Sequence, residues 1–238
     1  MAIEVFNRYE KKFIITDEIY KILKPMLEDD METDSHSING EFYNICNIYY
    51  DTEENDIIRK SLDNPIYKEK LRLRSYGVVG LDEKVYLEIK KKYNGLINKR
   101  RTSILLKDAY QFIEKKEKPE LKPYMNGQVL NEIDYFLHQY QLKPTLYLTY
   151  DRNALFGKQD KNLRITFDTN IRTRRYDIAL EKGNYGELLL PEGIWLMEIK
   201  TEETTPLWLV SILSKLKLYN STFSKYGTEY RNYVLHKK

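Results

Sequence analysis

The 238-residue chain has one cysteine, three histidines and no long apolar run. A single cysteine, Cys46, excludes an intrachain disulfide framework and is typical of a reducing compartment, and its apolar surroundings predict a buried thiol. The histidines His36, His138 and His236 lack the spacing of metal ligands. No segment approaches the roughly 18–20 apolar residues of a membrane span, and the N-terminus has no apolar signal region. We therefore expect a soluble, cytoplasmic protein without a membrane span of its own, for which a membrane role would require a membrane-protein partner.

Several motifs of phosphate chemistry are also absent. There is no G-x-x-x-x-G-K-[ST] phosphate loop, no nucleophile elbow and no set of kinase motifs. Any phosphoryl transfer must therefore depend on positioning and charge neutralisation. The formal net charge is only +3, but residues 66–101 hold 11 Lys or Arg against four acidic residues. That local excess predicts an anionic ligand.

The chain does contain a repeated alternation of polar and apolar residues, in stretches at 70–74, 86–90, 164–168 and 197–200. Period two is typical of β-strands, whose alternate side chains lie on opposite faces. One face of these strands is nearly pure Arg and Lys with a few carboxylates. For a single basic residue a solvated strand face is the simpler interpretation. Because five or more strands repeat the pattern, we expect them to surround a solvated cavity that holds a polyanion.

Periodicity and turn residues predict an α+β protein in which residues 1–238 form one domain. Strands are expected at 5–15, 42–51, 66–76, 83–93, 99–106, 145–154, 162–170 and 194–200, with a short one at 187–190. Helices are expected at 17–28, 53–62, 107–116, 127–140 and 206–217, while 221–235 fits either a helix or a strand. A charged inner face favours closure of the sheet. The expected fold is a closed eight-stranded antiparallel β tunnel with helices packed on its outside.

The candidate phosphate ligands are the basic residues of the polar strand faces, because arginine forks and lysine ammonium groups match phosphate oxygens. They are Arg8, Lys12, Lys70, Arg72, Arg74, Lys90, Lys99, Arg101, Arg152, Arg164 and Lys200. Glu198 faces the same side as Lys200, so it is the candidate ligand for Mg²⁺ or Mn²⁺, with a plain ion pair as the alternative. Glu10 and Glu88 are weaker candidates for the metal, or they orient neighbouring lysines. The candidate catalytic residues are Lys90, Arg72, Arg74 and Glu198.

These residues resemble the triphosphate tunnel family, and within it the VTC-type polyphosphate polymerase domain. The resemblance covers nearly the whole chain in a fixed order of short motifs. They are RYEKKF at 8–13, YYD at 49–51, KLRLRSYG at 70–77, LEIK at 87–90, KRR at 99–101, YDR at 150–152, LRITFD at 163–168, MEIK at 197–200 and FSKY at 223–226. The resemblance implies an eight-stranded tunnel that binds tripolyphosphate and a divalent metal. It also implies transfer of the γ-phosphate of ATP to a growing polyphosphate chain.

On the same resemblance, Glu198 would hold the metal and eight cations would contact phosphates. They are Lys12, Arg72, Arg74, Lys90, Lys99, Arg152, Arg164 and Lys225. The chain departs from the family at two places. The polymerase type has a second lysine three residues before Lys225, where this chain has Thr222. Hydrolase-type members open with Glu-x-Glu-x-Lys, where this chain has Arg8-x-Glu10-x-Lys12. This exchange favours a polymerase or a polyphosphate binder over a triphosphatase.

Four functions are compatible with these features. The leading prediction is a metal-dependent polyphosphate polymerase that uses ATP, and the second is a tripolyphosphatase or nucleoside triphosphatase of the same fold. The third is a non-catalytic sensor that binds polyphosphate or a nucleotide and regulates a partner. The fourth, nucleic-acid binding, requires aromatic residues on the basic face for base stacking. In 70–74 and 163–168 the intervening Leu, Ile and Phe lie on the opposite face, so we expect no nucleic-acid partner.

Overall fold

The structure is a computed structural model that describes residues 9–34, 42–94 and 96–236. Its strands are β1 (Tyr9–Thr16), β2 (Met31–Thr33), β3 (Tyr43–Asp51), β4 (Tyr67–Tyr76), β5 (Lys84–Tyr93), β6 (Leu96–Leu105), β7 (Lys143–Gly157), β8 (Arg164–Arg174), β9 (Glu187–Leu188) and β10 (Ile194–Thr201). Its helices are α1 (Asp17–Met26), α2 (Asp56–Leu62), α3 (Leu106–Lys115), α4 (Gly127–Gln139), α5 (Leu207–Lys215) and α6 (Lys225–His236). The predicted α+β class is confirmed. The segment 221–235, which the sequence left open, contains most of α6.

All these strands belong to one antiparallel sheet. Eight of them follow one path in the order β1-β10-β8-β7-β3-β4-β5-β6, while β2 pairs with β7 and β9 pairs with β8. In the part of the chain that the structure describes, the end strands β1 and β6 are not neighbours, so the sheet is not closed. The eight-stranded antiparallel path therefore agrees with the prediction, and closure of the tunnel is not seen.

Helices cover the apolar face of the sheet in two blocks. Phe13, Phe167 and Met197 pack beneath α1 and α5, while the apolar side chains of β4 and β5 pack beneath α3 and α4. Burial of each large aliphatic side chain contributes about 1.5–3 kcal/mol, which fixes the strand faces. Side chains cap two of these helices: Thr16 accepts from the Ile19 amide of α1, and Asn126 does the same for Val129 in α4.

Helix α6 lies on the opposite face of the sheet, contrary to the prediction that the helices pack only outside. Its Tyr226 packs with Leu146, Leu148 and Leu196, and Ile58 of α2 joins the same cluster. Leu196 and Glu198 are two residues apart in β10, so they share one face. The face of the sheet that bears Glu198 therefore has an apolar portion, which α2 and α6 cover. Helix α6 thus lies close to the charged side chains. Cys46 is fully buried, as predicted.

Candidate functional site

The strand register places the predicted charged residues on one face of the sheet, which we call the polar face. In each strand the charged residues alternate with apolar residues, which lie on the other face of the sheet. Charged residues of neighbouring strands lie directly opposite one another. The cross-strand pairs on the polar face are Glu10 with Lys200, Lys12 with Glu198, Lys200 with Arg164, Arg152 with Asp168, Arg72 with Glu88, Lys70 with Lys90, Lys90 with Lys99, and Glu88 with Arg101. The alternation read from the sequence thus assigned the faces correctly.

The sheet curves strongly around this face. Five strands separate β1 from β5 along the path, and in a flat sheet six spacings of about 4.8 Å would place them about 29 Å apart. Nevertheless Glu10 and Lys12 of β1 and Lys200 of β10 all influence the pKa of Lys90 in β5. Charges separated by 29 Å through water would be screened. The polar face is therefore concave, and its two sides face each other across a cavity.

Glu198 is the centre of a cation cluster on one side of that cavity. Its carboxylate oxygens lie 3.2 Å from the ammonium of Lys200, 3.5 Å from Lys225, 3.8 Å from Lys12 and 3.9 Å from a guanidinium nitrogen of Arg152. The Glu198 side chain is only 9% exposed. Burial alone would raise its pKa, but these four cations hold the pKa of Glu198 well below its usual range. The carboxylate is therefore ionised throughout the physiological pH range.

Asp168 is a second buried carboxylate in this cluster, and sequence reasoning did not include it among the candidates. Arg152 donates two hydrogen bonds to it, at 2.6 and 2.7 Å, and the Lys225 ammonium lies 2.5 Å from Oδ2. Although burial would raise its pKa, Arg152 and Lys225 lower it. Asp168 thus fixes the direction of two cations. The available signal was its position in the alternating stretch 164–168, which places it on the polar face.

Glu88 organises the opposite side of the cavity. Arg72 donates to its Oε2 from Nε at 3.0 Å and from Nη2 at 2.5 Å, and the Lys99 ammonium lies 2.7 Å from Oε1. Arg74 approaches Oε2 at 3.9 Å. Burial lowers the pKa of Lys99 to about 7, and repulsion from Arg74 and Arg72 acts in the same direction. Attraction by Glu88 opposes the shift but does not cancel it. Both oxygens of Glu88 are thus occupied by cations, an arrangement that suits orientation of Arg72 and Lys99.

Neutral side chains hold the two arginines of this cluster in place. Arg72 donates to the Tyr49 hydroxyl at 3.1 Å, while Arg74 donates to Asn47 Oδ1 at 2.9 Å and to the Tyr150 hydroxyl at 3.3 Å. Burial alone would raise the pKa of Tyr49, but the guanidinium groups of Arg72 and Arg74 lower it to about 8. These three orienting residues were not among the candidates. Tyr49 and Tyr150 belong to motifs of the resemblance, but nothing in the sequence links them to a particular arginine.

Lys90 and Lys70 lie between the two clusters. In the described residues Lys90 makes no hydrogen bond or ion pair, and its side chain is exposed to the solvent of the cavity. The protein that surrounds the cavity still desolvates the ammonium, and this effect, with repulsion from Lys12, Lys200 and Arg72, lowers the pKa of Lys90 against the attraction of Glu10. The ammonium of Lys70 lies 5.6 Å from the centre of the Tyr226 ring. Its pKa is lowered to about 8, first by burial and then by Lys90 and other lysines. A solvent-exposed ammonium among like charges is available to a phosphate oxygen.

Helix α6 supplies Lys225 from its first turn, and the next residue fixes the helix. Tyr226 donates to Asp51 Oδ2 at 2.8 Å, and the same carboxylate accepts from the amides of Ile57 and Ile58 in α2. Asp51 is fully buried. One carboxylate therefore caps α2 and anchors α6, so that Lys225 reaches both Glu198 and Asp168.

Three predicted phosphate ligands are less central. Arg164 donates to Asp34 at 3.3 Å. Arg101 is exposed, and its guanidinium lies 4.6 Å from the centre of the Tyr86 ring. Arg8 lies outside the described residues. The structure thus brings together the predicted ligands Lys12, Lys70, Arg72, Arg74, Lys90, Lys99, Arg152, Lys200 and Lys225, with Glu10, Glu88 and Glu198 among them.

The donor set near Lys12 fits a divalent cation that shares its coordination with phosphate. The Lys12 ammonium lies 3.0 Å from a carboxylate oxygen of Glu10 and 3.8 Å from one of Glu198, so two carboxylates flank a single ammonium. Mg²⁺ is usually bound by one or two carboxylates, with substrate phosphates and water as its other ligands. In residues 9–34, 42–94 and 96–236 no group of three or more His, Cys, Asp or Glu side chains could hold a metal. A cage made only of protein ligands is thus not present in the described chain.

Polyanion binding should weaken as the pH rises through about 8. Lys70 and Tyr49, whose pKa values lie near 8, both lose a proton there. Lys99, whose pKa is about 7, loses its remaining charge over the same range, so the polar face becomes less positive. Lys12, Lys68 and Lys90 face Lys70 as further like charges. The pKa values of Lys70 and Tyr49 in the folded protein lie below their values of about 10 in the unfolded chain. Their deprotonation therefore raises the free energy of unfolding of the ligand-free protein as the pH rises from about 8 to 10. Calorimetric titration with tripolyphosphate at pH 7 and 9 tests this, with the melting temperature as control. An affinity that is unchanged would contradict the assignment.

Comparison with known proteins agrees with this architecture. Three solved structures have a similar fold: a candidate adenylate cyclase from Bacillus halodurans (15% identity, TM-score 0.58, covering 93% of this chain and 96% of that one), another from Vibrio parahaemolyticus (12%, 0.51, 95% and 98%), and a candidate adenylyl cyclase from Hippeastrum with a dominant triphosphatase activity (15%, 0.50, 91% and 92%). At these identities the likeness concerns the fold alone. No curated protein is significantly similar to the chain in sequence.

A curved antiparallel sheet with cations on its concave face agrees with the fold that the resemblance to the triphosphate tunnel family implied, and the VTC-type part of that resemblance is confirmed. The sequence profile of the VTC domain matches residues 7–234. The chain belongs to the VTC-domain family. In the described residues no helix is both long enough and apolar enough to cross a membrane.

Proposed function

We propose that the protein is a metal-dependent polyphosphate polymerase, which transfers the γ-phosphate of ATP to a growing inorganic polyphosphate chain. The observation that carries this proposal is that cations from strands at opposite ends of the path, β1 and β10 at one end and β4 to β6 at the other, lie on one concave face. An empty cavity with so many like charges is unfavourable, and a chain of phosphates relieves the repulsion. Membership of the VTC-domain family supports the same substrate class.

The excess of positive charge favours two anionic substrates over one. The polar face carries eleven of the predicted cations, which share it with the carboxylates Glu10, Glu88, Asp168 and Glu198. Asp34, the partner of Arg164, is a fifth carboxylate. With every lysine and arginine protonated and all five carboxylates ionised, the site keeps an excess of six positive charges. A metal-bound nucleoside triphosphate neutralises only part of that excess. A phosphate donor together with an anionic acceptor chain matches it better.

The proposed roles follow from the contacts. Lys90 and Lys70, which lie between the clusters, would contact the transferred phosphoryl group. Arg72 and Arg74, whose guanidinium groups are oriented by Glu88 and Asn47, would contact the adjoining phosphate groups. Lys12, Arg152, Lys200 and Lys225 would contact phosphates on the other side. Glu198, with Glu10, would hold Mn²⁺ or Mg²⁺, which neutralises charge on phosphate oxygens.

Hydrolysis is the second candidate. Where the family's polymerase type has a second tail lysine this chain has Thr222, so one cation is missing from the segment before α6. The structurally similar Hippeastrum protein has a triphosphatase activity. The Arg8-x-Glu10-x-Lys12 pattern favours the polymerase because it lacks one carboxylate of the hydrolase type. A sensor without turnover is the third candidate.

Product analysis separates the three. We expect the protein, incubated with ATP and Mn²⁺, to form a ladder of polyphosphate chains on a gel. Conversion of ATP or tripolyphosphate to free phosphate alone would identify a hydrolase and reject the polymerase. If neither product forms but tripolyphosphate raises the melting temperature, the protein is a sensor.

A further inference from the structure

The polar face continues along β4 and β5 past Lys70 and Lys90. Lys68 and Lys92 are directly opposite each other in the register, one step past the pair of Lys70 and Lys90. We call Lys68 and Lys92 the distal pair. Two residues along a strand return to the same face, so the distal pair lies on the polar face. Four residues from Lys68 to Arg72 correspond to about 13 Å of strand.

The distal pair has no carboxylate on the facing strand positions. Like charges directly opposite each other in a sheet are destabilising, and here two successive cross-strand pairs, at the distal pair and at Lys70 with Lys90, consist of lysines only. The ammonium of Lys68 is held by neutral acceptors, the Ser61 carbonyl at 3.3 Å and Asn64 Oδ1 at 3.4 Å. The pKa of Lys68 is lowered by burial and by Lys92.

The neighbouring lysine on the other face is arranged differently. Lys91 lies 3.4 Å from Glu132 of α4, which also pairs with Arg100. Charges on the apolar side of β5 are thus balanced by protein carboxylates. On the polar face, Glu88 balances the central arginines and Glu10 attracts Lys90, but in the described residues neither lysine of the distal pair forms an ion pair with a carboxylate.

From this contrast we infer that the distal pair is a binding subsite for a polyphosphate chain that extends beyond the triphosphate length. The inference rests on the proposed function and names the place where its acceptor or product chain lies. Each ammonium of the distal pair contacts phosphate oxygens of the chain as a point charge. A tripolyphosphate held by Arg72, Arg74 and Lys90 does not need these contacts, whereas a long chain does.

Chain-length-dependent binding tests the inference. The variant that combines Lys68→Gln and Lys92→Gln is titrated calorimetrically with tripolyphosphate and with long-chain polyphosphate. We expect the affinity for the long chain to fall by about tenfold or more, and its dependence on salt to become shallower because fewer charges are neutralised. The affinity for tripolyphosphate should change by less than about twofold. Lys91→Gln, one residue away on the other face, should change neither affinity, and melting temperatures verify folding.

Two outcomes would overturn the inference. One is an equal loss of affinity for both chain lengths, which would make the distal pair a general electrostatic contributor. The other is an equal effect of Lys91→Gln. The product assay on the unmodified protein separates this test from that of the proposed function. If the unmodified protein forms only free phosphate but binding of the long chain still depends on the distal pair, the polymerase proposal is rejected and the subsite is supported. If the unmodified protein forms polyphosphate but binding of the long chain does not depend on the distal pair, the subsite is rejected and the polymerase proposal is supported.

Discussion

Lys90→Ala should lower the rate of phosphoryl transfer by about 10²- to 10³-fold, the loss that follows removal of one positioned donor at a site of developing charge. Lys90 is exposed to the cavity and makes no hydrogen bond or ion pair in the described residues. Its loss therefore leaves no hydrogen-bond partner unsatisfied. It removes the desolvation of the ammonium and its repulsion with Lys12, Lys200 and Arg72, which together outweigh its attraction to Glu10 because the pKa of Lys90 is lowered overall. We expect the melting temperature to stay the same or rise. Turnover with ATP and Mn²⁺, together with thermal denaturation, measures both effects.

Two further variants give this experiment its controls. Lys91→Ala removes the next lysine of β5 on the opposite face and should keep full activity. Arg72→Ala should also lose activity, but it removes an ion-pair partner of the buried Glu88 carboxylate, which Arg72 contacts at 2.5 Å. Removal of one partner of a buried ion pair costs about 3–5 kcal/mol, here reduced because Lys99 still contacts Glu88. A Lys90→Ala protein with full activity would remove Lys90 from the catalytic residues.

The side of the sheet on which each charged residue lies could be predicted from the sequence. The alternation in 70–74 and 197–200 assigns each residue to a face because side chains of a strand return to the same face every two residues. Burial of Leu71, Leu73 and Ile199 stabilises this orientation of the strands. The cations of the cavity were predicted for the same reason. The strand boundaries were less accurate, as for β6, which begins at Leu96 and not at 99. The three-residue strand β2 was not predicted.

Pairing between individual side chains could not be predicted, because it depends on contacts between distant segments. Alternation places Asp168 on the polar face but does not indicate that Lys225, 57 residues later, would donate to it. Helix α6 was ambiguous because its sequence has no clear apolar stripe. Its position on the polar face depends on the bond from Tyr226 to Asp51, which spans 175 residues. Curvature of the sheet, which brings Lys90 near Lys12, likewise has no local signal.

Glu198→Gln should abolish turnover and weaken the binding of Mn²⁺. The substitution keeps the shape of the side chain but removes the charge that four cations within 4 Å hold in the ionised form. If Glu198 holds the divalent cation, the Mn²⁺ concentration for half-maximal tripolyphosphate binding should rise by at least about 10–100-fold, the loss seen even for residues that only support a metal ligand. Titration of tripolyphosphate binding with Mn²⁺ measures this without turnover.

The alternative, in which Glu198 only balances charge, predicts the opposite sign. Removal of a negative charge next to Lys200, Lys225 and Lys12 would then strengthen tripolyphosphate binding and leave the Mn²⁺ titration unchanged. Glu10→Gln is the matched comparison, because Glu10 shares Lys12 with Glu198 and should give a smaller shift in the same direction if both carboxylates contact the metal. Tighter tripolyphosphate binding by Glu198→Gln with an unshifted Mn²⁺ midpoint would therefore reject a metal role for this residue. The cation cluster around it would then bind phosphate without a metal on that side of the cavity.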